Sequence, residues 1–229
     1  MAGSLPHGRP RQSADVMDKT EFIRANTAIM APPHVPEIRL HLADEAHDLW
    51  HRTEEELQAI GLEPPFWAFA WAGGQGLARY VLDHPDRVKD RRVVDFASGS
   101  GLVAIAAARA GAAAVTANDI DPFCETAVGL NAGLNGVAIA YDGRDLVGDT
   151  ALDADVVLAG DVFFDREMSA AVVPWFEMLA ARGTAVLVGD PGRSYLPRER
   201  LFPLAAYEVP VTRALEDAEV KKTSVWRFA

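Results

Sequence analysis

From about residue 75 the apolar positions fall into two alternating patterns. Short apolar runs of strand length are separated by longer stretches with helical spacing. QGLARYVLDH (75–84) repeats apolar residues at intervals of three and four and predicts a helix. RRVVDF (91–96) predicts a buried strand, and GLVAIAAARAGA (101–112) an alanine-rich helix ended by Gly111. The pattern repeats in AAVTAND (113–119, strand) and in PFCETAVGLNAGLN (122–135, helix with proline in its first turn). VAIAY (137–141) and DVVLAG (155–160) read as strands. Asp165 is placed to cap a helix reaching about Ala181, and TAVLVGD (184–190) is the next strand. A helix after Pro197 and strands near 207–211 and 222–228 complete the prediction. Strands alternating with helices of this length imply βαβ units and a largely parallel sheet in an α/β fold.

The first 75 residues are less regular. A short helix is expected over Lys19–Ala25, an extended linker at APPHVP (31–36), and a strand where Ile38, Leu40 and Leu42 alternate with polar residues. Asp44 is positioned to cap a helix running to about Ile60, with Gly61 as its stop. Residues 1–18 are rich in Gly, Pro, Ser and Arg and read as a flexible tail or a non-native remnant. The expected organisation is one domain over 19–229: elements at 19–90 that cover a pocket, then a Rossmann-like core at 91–229.

Charge narrows the function. A formal net charge of −11 argues against a nucleic-acid partner, which needs a basic face, and suits a lysine-bearing protein. Cys124 is the only cysteine, so no internal disulfide is available. No apolar run is long enough to span a bilayer as a helix, and no membrane partner is expected. The start resembles neither a secretory signal nor a mitochondrial presequence, which suits a bacterial cytoplasm; a eukaryotic form would belong in the mitochondrial matrix.

The strand–helix junction VVDFASGSGLVAIAA carries the main chemical signal. Asp95 stands four residues before Gly99, and Gly101 follows two later. Glycines there allow a tight turn and close approach of a ligand to the helix N-terminus. Gly99-x-Gly101-x-x-Ala104 also satisfies the dinucleotide fingerprint, which keeps an NAD-binding Rossmann protein open. An acid at Asp95 would oppose a pyrophosphate, whereas S-adenosylmethionine carries a sulfonium and an ammonium and accepts a carboxylate nearby. Asp119, at the end of the next strand, can accept both hydroxyls of a ribose. Asp121 reads as a helix cap, and Asn131 and Asn135 as hydrogen bonders at a helix end rather than ligands. Asp145 reads equally as a contact to an adenine edge or as a polar loop residue.

These segments resemble the S-adenosylmethionine-dependent methyltransferases with a seven-stranded Rossmann-like sheet. PFWAFAWAGGQGLARYVLDHP (65–85), ANDIDP (117–122), VVLAGDVFFD (156–165), GDPGR (189–193) and TSVWRF (223–228), taken in order, resemble the lysine methyltransferases of the electron transfer flavoprotein β subunit. The resemblance implies a seven-stranded, mostly parallel sheet with helices on both faces and an N-terminal extension. It implies S-adenosyl-L-methionine as cofactor and the electron transfer flavoprotein β subunit as protein substrate, with a ribosomal protein or a small amine as alternatives. It places Trp71, Asp95, Gly99, Ser100, Gly101, Asp119, Ile120 and Asp145 around the cofactor. Trp67, Phe163, Asp190 and Arg193 fall to the substrate, and Asp161 and Phe164 to catalysis. In this reading the Asp161 carboxylate guides an incoming ammonium and aromatic walls hold the lysine stem. The N-P-P-aromatic signature of amide and adenine methyltransferases is absent. HDLWH (47–51) has histidines at i and i+4 as in zinc helices, but lacks the glutamate and a third ligand, so no metal is expected.

Overall fold

A computed structural model describes residues 18–44, 47, 49, 52, 63–211 and 218–229. The helix expected between Asp44 and Ile60 lies almost entirely outside the described residues, as do His51 of HDLWH and most of the N-terminal tail.

Seven strands form the central sheet: β3 (Arg92–Phe96), β4 (Ala114–Asn118), β5 (Ala140–Asp142), β6 (Val156–Gly160), β7 (Ala185–Asp190), β8 (Leu201–Pro210) and β9 (Val220–Phe228). Their order is β5-β4-β3-β6-β7-β9-β8. The first five are parallel, and β9 runs antiparallel between β7 and β8. After β3 the chain winds outward through β4 and β5, then returns to the other side of β3 with β6. The C-terminal ends of β3 and β6 therefore flank the switch point where open α/β sheets bind ligands.

The strand runs are apolar on both faces because both faces are covered. Val93, Val156, Leu158, Leu187 and Val225 pack with α2 (Ala72–Asp83) and α3 (Leu102–Arg109). The alternate positions Val94, Phe96, Val157, Ala159, Val186, Val188 and Phe228 pack with α5 (Arg166–Ala181). α4 (Pro122–Asn135) contributes Val128 to the first of these layers, while its Phe123, Cys124 and Ala127 join a third cluster with Trp67 and Ile23 of α1 (Lys19–Asn26). A two-stranded antiparallel hairpin, β1 (Ala28–Met30) and β2 (Leu40–Leu42), precedes the main fold.

Two elements differ from expectation. Pro197 is followed by a single 3-10 turn, Arg198–Arg200, and then directly by β8, not by a helix. β8 is an edge strand with an irregular register at Pro203, so it tolerates prolines that remove backbone donors. α2 begins at Ala72, earlier than its glycines suggest, because those glycines bring it against the sheet. A methyl group on Gly73 would collide with the Gly189 carbonyl oxygen and the Asp161 carboxylate; one on Gly160 would lie 2.8 Å from Gly74 Cα.

Candidate active site

Below the turn after β3, Asp95 accepts a hydrogen bond from the Ala104 N–H (2.8 Å) and so caps the first turn of α3 from an adjacent strand. It is only 1% exposed. Burial pushes its carboxyl up to about 8, opposed by the Ala104 N–H and reinforced by the charge of Asp119. Gly99 (φ +50°) and Gly101 (φ +78°) adopt left-handed conformations that favour glycine. Asp119 accepts from the Gly99 N–H (2.9 Å) and from Asp121 (3.1 Å), so the second strand end holds the loop of the first. Ile120 beside it is 73% exposed. Asp121 caps α4 through the Phe123 N–H, as expected.

Sequence reading passed over two residues at this end. Asn118 donates to the carbonyls of Asp142 and Arg144, both at 2.8 Å, tying the loop that carries Asp145 to the end of β4. Ser98 Oγ is buried with no hydrogen-bond partner among the described residues. Asp145 is exposed and closes a local turn through Val147.

The second half of the site surrounds Asp161. This residue follows β6 directly and adopts φ +57°, as Ala97 (φ +53°) does after neighbouring β3. Its carboxylate accepts from the Gly74 N–H in the first turn of α2 (2.9 Å) and pairs with the Arg193 guanidinium (2.7 Å to Nη2, 3.2 Å to Nε). Arg193 also lies over the Trp71 ring at 5.8 Å. Trp71 donates its indole N–H to the Phe66 carbonyl and meets the Phe66 and Phe69 rings edge-on. Phe164 is 48% exposed and packs against Phe66 with centroids 5.6 Å apart. An open groove of about 330 Å³ starts here, lined by Phe164, Pro191, Gly192, Arg193, Ser194 and Lys221.

Several expected assignments shift. Phe163 is fully buried and packs towards Phe228 in the core, so it is no wall of a lysine channel; the chain turns after β6 and sends Phe164 outward instead. Trp67 is 2% exposed and stacks on Phe123 at 5.7 Å, so its ring is core and only its backbone lies over Gly99. Asp190 is buried; one oxygen accepts from the Gly192 and Arg193 N–H groups (2.6 and 2.7 Å), and the other has no partner among the described residues. It shapes the turn that presents Arg193 rather than facing a substrate. Burial raises its carboxyl above the usual range. Trp71 stands between the two halves of the site, under Arg193 on one side and bonded on the other to the Phe66 carbonyl, which would lie 3.8 Å from a methyl group on Gly99. The Asp161 carboxylate is already engaged by a guanidinium and a helix N-terminus, so guiding an incoming ammonium is not the role its partners suggest. Among the described residues no cluster of His, Cys, Asp and Glu could hold a metal ion.

Comparison with known proteins agrees with the fold. The family model for ribosomal protein L11 methyltransferase matches residues 77–161. In solved structures, L11 methylase from Lactobacillus delbrueckii subsp. bulgaricus superposes with a TM-score of 0.51 at 23% identity, covering 70% of this chain and 81% of that one. Magnesium protoporphyrin IX methyltransferase from Synechocystis, solved with bound S-adenosylmethionine, gives 0.50 at 15% identity, covering 68% and 78%. These likenesses show the fold. Sequence relatives are more specific. The electron transfer flavoprotein β-subunit lysine methyltransferase of Xenopus laevis is 37% identical over 90% of this chain and 85% of its own length. The rat and human proteins of the same name are 33% and 32% identical over 90% of this chain, covering 83% and 80% of their own lengths.

S-adenosylmethionine is the cofactor, and the residues fit it. The left-handed glycine turn leaves room for close approach, the Asp119 carboxylate stands at the second strand end, Ile120 offers an apolar face, and Ser98 has a hydroxyl to spare. A sheet in methyltransferase order, a glycine turn between two strand-end acids and relatives matched along nine-tenths of the chain agree with one another: the chain belongs to the family of electron transfer flavoprotein β-subunit lysine methyltransferases.

Proposed function

We propose that this enzyme methylates lysine side chains of the electron transfer flavoprotein β subunit, and that the Phe164–Arg193 groove admits the lysine. The carrying observation is the position of that groove. It opens beside Asp161 at the end of β6, the strand next to the one that carries the glycine turn. The L11 methyltransferase model ends at Asp161, whereas most groove residues lie at 191–194 and 221. That match therefore concerns the cofactor half and does not favour a ribosomal substrate.

When bound, S-adenosylmethionine supplies a methyl group on a positively charged sulfur; the amine nitrogen forms the new C–N bond as the C–S bond breaks and a thioether leaves. Only a neutral amine has the lone pair for this, and a free lysine with a pKa of about 10.4 is mostly protonated at neutral pH. Lys221 lines the groove beside the Asp161–Arg193 ion pair, and a positive neighbour disfavours the ammonium form of an arriving lysine. Phe164 and Phe66 provide apolar surface for its methylene stem, which further desolvates the nitrogen. Asp161 holds Arg193 and the start of α2 in one arrangement, so its part is alignment. The proton shed before attack leaves through the open mouth to solvent. In-line displacement depends mainly on such positioning.

The test is transfer of labelled methyl groups into purified electron transfer flavoprotein β subunit, with the modified residues mapped by mass spectrometry. Lysine methylation is expected. Transfer to a different protein of a cell extract, with none to the flavoprotein, would overturn the substrate and leave the methyltransferase chemistry standing.

A further inference from the structure

Asn131 and Asn135 lie one turn apart on α4, and together they replace a neighbouring strand. The Arg39 N–H donates to Asn135 Oδ1 (3.1 Å), Asn135 Nδ2 donates to the Arg39 carbonyl (2.7 Å), and the His41 N–H donates to Asn131 Oδ1 (2.8 Å). The spacing makes this possible. Four helical residues rise about 6.0 Å, and two strand residues span about 6.6 Å, so side chains at i and i+4 meet backbone groups at j and j+2. The outer edge of the β1–β2 hairpin is thereby docked on the helix.

The two asparagines differ in one respect. Asn131 is fully buried, and its Nδ2 donates to the Ser100 carbonyl at 2.8 Å, at the apex of the glycine turn. Asn135 makes its third contact to its own helix, where Nδ2 donates to the Asn131 carbonyl at 2.8 Å. One amide therefore touches the hairpin through its oxygen and the cofactor loop through its nitrogen. An amide carries an acceptor and two donors on one rigid plane, so fixing one side orients the other. The His41 contact spans 90 residues of sequence and the Ser100 contact 31.

We infer that Asn131 is a positioning residue for the cofactor loop, through which docking of the N-terminal hairpin sets the loop conformation that binds S-adenosylmethionine. This rests on the glycine turn being the cofactor cradle. Asn135→Ala is the internal control, because it loosens the same hairpin without touching the loop. Binding of S-adenosylhomocysteine to the full chain is measured by titration calorimetry beside thermal denaturation. Both variants should melt lower. Asn131→Ala should weaken binding about tenfold, the size of about one lost hydrogen bond to a buried partner, and Asn135→Ala less than twofold. In turnover assays the Asn131→Ala defect should appear as a raised KM for S-adenosylmethionine, more than as a fall in kcat. Asn131→Ala binding within twofold of the parent overturns the inference, and so does Asn135→Ala weakening binding equally. Should Asn131→Ala fail to fold, hydrogen exchange of the parent protein decides. S-adenosylhomocysteine should slow exchange at residues 39–42 as well as at 98–104; protection of 98–104 alone refutes the coupling, and protection of neither refutes the cradle itself.

Discussion

Replacing Asp161 by asparagine separates two roles for the acid at the end of β6. The substitution preserves volume, and asparagine tolerates the left-handed φ of +57°, so backbone strain stays nearly constant. What changes is charge. The Asp161 and Arg193 side chains are 10% and 21% exposed, too enclosed to treat as a surface pair. Asparagine retains an acceptor for Gly74 or for Arg193 but not full bonding to both, and it removes the charge that pairs with the guanidinium. Hydrogen bonds to charged groups contribute about 1.5–3 kcal/mol each, so a loss of about 2–3 kcal/mol is expected. In a chain of this size that lowers the melting temperature by about 5–10 °C. Freed from Asp161, Arg193 and the start of α2 drift at the groove mouth. Misplacement by about 1 Å can reduce turnover on the order of 10²-fold, and here the loss should fall on the protein substrate more than on cofactor binding. A double-mutant cycle with Arg193→Met, read by denaturation and by methyl transfer, should show coupling of about 1–3 kcal/mol in both measurements. If Asp161→Asn melts like the parent, couples to nothing and still loses transfer, Asp161 acts on the lysine directly and the positioning argument is wrong.

Neighbouring phenylalanines should behave oppositely: Phe163→Ala should destabilise by about 3–5 kcal/mol in denaturant titration, whereas Phe164→Ala should raise KM for the protein with little change in stability. Gly73→Ala should prevent α2 from seating on Gly189, seen as a large fall in melting temperature and lost transfer; a parent-like protein would contradict the backbone contact. Asp95 holds its proton up to about 8 in the folded state, against 3.8 unperturbed, so between these values unfolding releases a proton and stability falls as pH rises. Asp95→Asn should flatten that fall in denaturant titrations from about pH 4 to pH 8.

Much of the fold is legible because its signals are local. Continuous apolar runs mark β3, β6 and β7, which need apolar residues on both faces, and Pro122 and Asp165 mark helix starts within the turns that they build. The strand expected near 207–211 is the second half of β8; its first half, from Leu201, was missed because an edge strand is free to carry Pro203, which breaks the expected pattern. Phe163 and Phe164 show a second limit. Two adjacent phenylalanines have the same burial tendency, and only the turn after β6 decides which enters the core.

The location of the site was readable, since acids at the ends of neighbouring strands in an α/β chain point to the switch point, but their roles were not. Asp119, Asp161 and Asp95 look alike in sequence and differ in who meets them. Asp95 finds an N–H nine residues on, Asp119 one twenty residues back, and Asp161 one 87 residues back plus a guanidinium 32 residues on. The glycines of WAGGQG offer a clue to the last case, because consecutive small residues at a helix start permit a strand end to come close enough for its acid to cap the helix. The same reasoning applies to LNAGLN, where an i, i+4 asparagine pair matches the step of a strand edge. In this chain, polar residues beside glycines or at spacings commensurate with another element organise the backbone around the cofactor and substrate. Ile120 and Phe164, by contrast, leave much of their apolar surface exposed beside those strand ends.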